Sequence, residues 1–184
     1  KRLAYSDAAF RRLIKAEKSE TFLISKETAI TPPDLYVGDA QLNNLRKLTD
    51  LQEQEKNYTM GSGSILVDYI GTDGKKLQGA LFLPANYQAG KSYPTVVYIY
   101  EKLSQGLNSY TPPMVGGGGF NRSYYTSHGY AVFNPDITYR LNDPGVSAKE
   151  SVLPALQAAI ATGVVDPKRV GLQGHSWGGY QTAF

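Results

Sequence analysis

The chain has 184 residues, enough for one modest domain or parts of two, and its apolar content is ordinary for a folded protein. Nineteen basic residues against sixteen acids leave a net charge of +3, with the signs interspersed, so neither nucleic acid nor an anionic membrane surface is called for. There is no cysteine, which removes disulfides, thiol catalysis and thiolate metal sites, and no apolar run reaches membrane-spanning length.

Ser6-Asp7 predicts the start of a short helix within residues 1–20. Phe10, Leu13 and Ile14 then share one helical face, and the basic stretch from Arg11 to Lys18 forms a solvated one. Residues 21–25 read as a strand, Pro32-Pro33 as a break, and residues 34–37 as a second strand, with residues 45–49 closing the region. Short strands with polar turns suit an all-β segment. Residues 50–57 are polar and read as a linker.

The character changes near Tyr58. Residues 65–70 and 77–83 predict two strands of a hairpin, joined by Gly71-Thr72-Asp73-Gly74 with glycine where positive φ is expected. Residues 95–100 are almost continuously apolar or aromatic, as in a strand buried on both faces. Gly116-Gly117-Gly118-Gly119 lacks the strand and the Gly-Lys-Ser/Thr ending of a phosphate loop and reads as a flexible loop. Residues 120–128 predict a helix stopped by Gly129, and residues 130–133 another buried strand. Ser147-Ala148-Lys149-Glu150 has the spacing of a capping box, predicting a helix from Ser147 to Gly163 with a kink or tightened turn at Pro154. After the turn Asp166-Pro167-Lys168, residues 170–173 form a last strand. Strands alternating with helices argue a parallel α/β sheet.

Gly174-His175-Ser176-Trp177-Gly178-Gly179-Tyr180 then reads as a nucleophile elbow, the tight strand-to-helix turn that presents a catalytic serine. Gly174 and Gly178 stand two positions either side of Ser176, where a Cβ would collide with the crossing backbone. The backbone N–H of Trp177 would face a developing oxyanion. Such a serine needs a histidine base and an acid that orients it, and in the fold that uses this elbow both follow the serine. Only eight residues follow Ser176, none of them Asp, Glu or His. His175 adjoins the serine and cannot easily act as its base, and His128 precedes it and reads as a helix end. The expectation is a piece of a larger enzyme carrying the nucleophile. Asp136 could orient a loop near the site or cap a turn. No His/Asp/Glu cluster has metal-ligand spacing, and no cofactor is called for.

The elbow, with residues 165–170 upstream, resembles the prolyl oligopeptidase family of serine peptidases. Asp73-Gly74 between two strands and Lys91-Ser92-Tyr93-Pro94 before the buried strand are similar to the start of that family's catalytic domain, and residues 21–49 to the last strands of its β-propeller. The resemblance implies the last strands of a propeller over residues 1–57, then the N-terminal half of an α/β-hydrolase domain over residues 58–184. It implies a peptide substrate, the remaining half of the catalytic domain as partner, and a second oxyanion donor from a tyrosine hydroxyl just after the first buried strand. Tyr100 matches that position best, with Tyr98 as the fallback. Two motifs depart from the family. Tyr100-Glu101-Lys102-Leu103-Ser104 replaces its His-Gly-Gly-Pro or Tyr-x-Gly-Pro loop, and Asp136-Ile137-Thr138-Tyr139-Arg140 replaces its Asp-x-Arg-Gly-Ser. They are closer to the glutamyl-endopeptidase-like and other bacterial branches, so a preference for proline does not follow. A carboxylesterase on the same fold and a non-catalytic binding module that kept the elbow are the competing functions. The compartment stays open, an exported protein being favoured over a cytoplasmic one.

Overall fold

The computed structural model describes residues 6–114 and 119–184, so Gly116, Gly117 and Gly118 of the expected glycine loop lie outside the described residues. The chain divides into two compact units, one reaching Thr59 and including Asn108–Pro112, the other formed by Met60–Leu107 and Pro113–Phe184.

The first unit is an antiparallel meander in the order β1-β2-β3-β4, over Ala9–Lys15, Phe22–Thr28, Thr31–Gly38 and Arg46–Lys47. The expected helix after Ser6-Asp7 is therefore a strand. Between Arg11↔Ser25 and Ile14↔Leu23 the register shifts by one residue, and Arg12 takes a left-handed φ of 54°. That bulge stretches the two-residue strand period to three. It explains why Phe10, Leu13 and Ile14 mimic helical spacing, although Leu13 and Ile14 are exposed. Pro32-Pro33 does not break the chain either, because β3 runs through both. The two prolines sit where the register shifts between Lys26↔Asp34 and Thr28↔Thr31, so their missing N–H groups interrupt a ladder that is already irregular. A short helix α1, Gln52–Glu55, occupies the stretch read as linker.

The second unit is a mixed five-stranded sheet in the order β5-β6-β8-β7-β9, over Ser64–Ile70, Lys76–Phe82, Ala131–Pro135, Tyr93–Ile99 and Val165–Gly174. β5, β6 and β8 pair antiparallel, while β7 is parallel to β8 and to β9. The expected hairpin is thus found, with Gly74 at φ +78° in its turn. Alternate residues of four strands (Val67, Tyr69, Leu77, Leu81, Val97, Ile99, Ala131, Phe133) form the buried core. Phe133 fills the space a Cβ on Gly79 would need, at 2.5 Å.

Helix α2 (Arg122–Ser127) is capped by the Asn121 side chain accepting from the Tyr124 amide at 3.0 Å, and His128 closes it. Helix α3 spans Pro144–Ala161 and places Ala148, Ala155 and Ala159 in the core. It starts three residues before the expected capping box, with Pro144 in the first turn, where the absent N–H costs nothing. The box residues instead serve Arg140. Ser147 Oγ accepts from the Arg140 amide at 3.0 Å, and Glu150 forms an ion pair with its guanidinium. α3 continues through Pro154. The proline cannot bond to the Glu150 carbonyl four residues back, and the Thr72 amide donates to that carbonyl instead, at 3.3 Å.

β9 takes a detour at its start. Its register jumps from Tyr93↔Val165 to Thr95↔Val170, and the Asp166 carboxylate holds the intervening turn through the Lys168 amide (2.9 Å) and Arg169 (2.7 Å). Helix α4, Trp177–Ala183, follows the end of β9 after two residues.

Candidate active site

The turn between β9 and α4 is tight. Ser176 is exposed and has φ 53° and ψ −115°, a backbone conformation costly for a residue with a side chain. Crowding around it explains the glycines. A Cβ on Gly174 would lie 2.1 Å from the Gly178 carbonyl oxygen, and one on Gly178 would lie 2.2 Å from the Ile99 carbonyl oxygen. Real Cβ atoms do not approach backbone so closely, so both positions exclude any larger residue while the turn keeps this shape. The first turn of α4 is thereby pressed against the end of β7. The Gly178 amide closes the turn on the His175 carbonyl at 2.9 Å, and the Tyr180 amide bonds to the Ser176 carbonyl at 3.2 Å.

The same close approach brings Tyr100 to the elbow. Tyr100 directly follows β7, and its Cα would be 3.6 Å from a Cβ on Gly178. Its side chain is about one-third exposed. Tyr98, the fallback, is half-buried, and its ring stacks on Phe120 with centroids 4.3 Å apart. Burial, with a smaller contribution from neighbouring Tyr100, pushes its phenol above the usual tyrosine range. Tyr98 is thus tied into an aromatic stack that continues to Tyr125, whose hydroxyl bonds to Gln173 at 3.3 Å.

The loops after β7 and β8 are bonded to each other. The Asp136 carboxylate is buried and accepts from the Ser104 amide at 2.8 Å and the Ser104 hydroxyl at 2.7 Å. The Ile137 amide donates to the Glu101 carbonyl at 2.9 Å. Asp136 therefore ties the loop after β7 to the loop after β8. The Tyr139 hydroxyl reaches the Tyr100 carbonyl and the side chain of Gln181. Oriented to satisfy both ends of its amide, Gln181 donates to the Tyr100 carbonyl at 3.2 Å and accepts from the Trp177 indole N–H at 3.2 Å, and the single Tyr139 proton serves either the Tyr100 carbonyl or the Gln181 oxygen. Burial raises the Tyr139 phenol above its usual range.

Tyr139 and Gln181 are absent from the expected site residues. Gln181 could have been found: it stands four residues after Trp177, hence on the same helical face, and a polar residue is out of place where α4 is buried. Tyr139 gave no such signal, because only the fold brings the loop after β8 beside the loop after β7.

Neither histidine is arranged as a base. His128 is held by the Tyr124 carbonyl at 2.6 Å from Nδ1 and packs on the Tyr124 ring. His175 is exposed, immediately before the serine. A cavity of about 590 Å³ lies along β5 and β6, lined by residues that include Lys76, Lys102 and Asp136 but not Ser176, Trp177 or Tyr100. No helix among the described residues is long and apolar enough to cross a membrane.

No family model matches the chain, and no curated protein matches it. Solved structures do. The chain is similar to dipeptidyl peptidase 4 from Porphyromonas gingivalis, with a TM-score of 0.67 and 22% identity, covering 98% of this chain and 27% of that one. It is similar to acylaminoacyl peptidase from Pyrococcus horikoshii, with a TM-score of 0.64 and 19% identity over 97% and 29% of the two chains. A prolyl endopeptidase gives 0.63 and 16% over 95% and 26%. The chain thus spans a little over a quarter of the length of these proteins, and identities this low establish the fold alone. That fold, followed along almost the whole chain, is the one found in the peptidases of the prolyl oligopeptidase family to which the elbow pointed.

Proposed function

We propose that the full-length protein is a serine peptidase acting through an acyl-enzyme, with Ser176 as its nucleophile. The single observation carrying this is the strained, exposed Ser176 between two glycines that admit no Cβ, at a strand-to-helix turn. Backbone strain is retained where surrounding structure over-determines it, and presentation of a nucleophile is a use for it. In the proposed mechanism Ser176 Oγ attacks the scissile carbonyl, and its proton passes to a histidine supplied from outside these 184 residues. An acid, also outside them, orients that histidine. The tetrahedral oxyanion is received by the Trp177 N–H and the Tyr100 hydroxyl. Tyr100 suits this better than Tyr98, whose ring is engaged in the stack with Phe120. The histidine then protonates the leaving amine, and water releases the acyl group by the reverse route. No cofactor takes part.

The meander of β1 to β4 supports the reading of residues 1–57 as the end of a β-propeller, since a blade is a four-stranded antiparallel sheet. The strand order β5-β6-β8-β7-β9 with its antiparallel first strands supports residues 58–184 as the N-terminal part of an α/β-hydrolase domain. The substrate follows as a peptide.

Ser176→Ala in the full-length protein tests the assignment. Only a hydroxyl is removed from an exposed position, so the melting temperature is expected to stay unchanged while peptide turnover falls at least about 10³-fold. Turnover within tenfold of wild type would remove Ser176 from the mechanism.

A further inference from the structure

We infer that Gln181 and Tyr139 are positioning residues that lock the two oxyanion donors, Trp177 and Tyr100, into one rigid unit. The inference rests on the reading of Ser176 as nucleophile and adds to it the side chains that hold its oxyanion donors.

The geometry is a closed set of hydrogen bonds. The Gln181 amide nitrogen donates to the Tyr100 carbonyl at 3.2 Å, and the Tyr139 hydroxyl, with its single proton, bonds either that carbonyl or the Gln181 oxygen. The Gln181 oxygen in turn accepts from the Trp177 indole at 3.2 Å. One buried side chain on α4 therefore grips the residue after β7 and the residue after the nucleophile together. Tyr139 adds the loop after β8 to the same knot, and its ring lies edge-on to the Trp177 ring at 6.5 Å. The Tyr100 carbonyl belongs to the peptide that fixes the direction in which its phenol leaves the backbone. Stabilising an oxyanion needs donors set in advance, because reorientation during the reaction costs the energy the donors should supply. A knot that fixes the Tyr100 backbone and the Trp177 side chain to one another serves such preorganisation, because each belongs to a residue that carries one of the donors.

The test uses the full-length protein and a small alkyl fluorophosphonate, with the first-order inactivation constant and the inhibitor constant measured separately. Tyr139→Phe keeps the ring, and Gln181→Met keeps the chain length. Each is expected to slow inactivation by roughly tenfold or more while the inhibitor constant moves less than about threefold, because the lost order acts on charge developing in the transition state. Tyr100→Phe supplies the decisive background. If Tyr139 acts through Tyr100, adding Tyr139→Phe to Tyr100→Phe should slow inactivation by less than about threefold more, a non-additivity that shared machinery produces and independent sites do not. Unchanged inactivation rates in both single variants, lowered melting temperatures with unchanged rates, or costs that add fully in the Tyr100→Phe background would each overturn the inference. Continued labelling of the Ser176→Ala variant would overturn the nucleophile assignment and this inference with it. Loss of labelling in that variant, beside unaltered Tyr139→Phe and Gln181→Met, would leave the assignment standing and sink the inference alone.

Discussion

At the level of single residues, the turn between β9 and α4 is governed by what cannot be there. Glycines 171, 174 and 178 lie within eight positions of one another, yet their surroundings differ completely. A Cβ on Gly178 would meet the Ile99 carbonyl oxygen at 2.2 Å, whereas one on Gly171 meets nothing within 4 Å. Gly178→Ala must push α4 away from β7, and because the obstacle is backbone no rotamer change relieves it. We expect it to destabilise the full-length protein by about 1–3 kcal/mol or more and to slow fluorophosphonate labelling, while Gly171→Ala stays within about 0.5 kcal/mol of wild type. Thermal melts of the two variants side by side check this, and equal melting temperatures would remove close approach as the reason for Gly178. This tight turn was legible in the sequence, because the glycine spacing around Ser176 encodes a steric demand that is local. The knot of Tyr139, Gln181, Trp177 and Tyr100 was not, because its members come from three separate segments and only the register of β7 beside β8 and β9 brings them together.

At the level of elements, hydrophobic patterning gave the strands and failed where one extra residue entered. β5, β6, β7 and β8 lie where their apolar runs predicted, since an uninterrupted run carries its own period. β1 was misread because its bulge converts a period of two into a step of three, and α3 was started late because Arg140 takes over the capping-box residues. Within the first unit, a side chain reading could not foresee secures β3 to the segment after β4. Asp34 is fully buried, and it accepts from the Thr49 hydroxyl at 2.8 Å and the Leu51 amide at 2.9 Å, with the Lys47 ammonium 2.8 Å away. Burial alone would raise its carboxyl, but the bonds from Lys47, Leu51 and Thr49 together outweigh burial and hold it below the usual range. A carboxylate so depressed contributes stability that is fully present above its unfolded value, about pH 3.9, and is lost as pH falls through the lower folded value. Asp34→Asn keeps the acceptor oxygen for Thr49 or Leu51 but loses the charge facing Lys47. It should cost about 1–3 kcal/mol at pH 7, with the gap to wild type closing as the pH is lowered from 4 toward 2. Urea titrations at several pH values measure that gap, and a gap independent of pH would show that the charge contributes nothing.

At the level of the whole molecule, one edge strand of the second unit has exposed apolar side chains beside it. Among the described residues β9 pairs with β7 alone, so its other edge presents unpaired backbone donors and acceptors. Leu172 on that strand, Leu153 on α3 and Phe184 after α4 are each about half exposed or more, and all three line a largely apolar cavity of about 170 Å³ with Ile99 and Val152. An open edge flanked by apolar side chains is a template for pairing with another chain. For the proposed nucleophile Ser176, neither histidine of the chain is placed as a base, since His128 is tied to Tyr124 and His175 adjoins the serine. A serine hydroxyl without a base is a weak nucleophile. Residues 1–184 produced in isolation are therefore expected to self-associate and to show no Ser176-dependent hydrolysis of peptides or esters. Light scattering after size exclusion reads the first expectation, and a comparison with the Ser176→Ala form reads the second. Lys or Glu placed at Leu172 should reduce the association without restoring any activity, because it charges the edge but supplies no base. A monomer that melts cooperatively and hydrolyses a peptide only when Ser176 is present would show that the 184 residues hold a complete site, and the proposal that its base and acid lie outside them would fall.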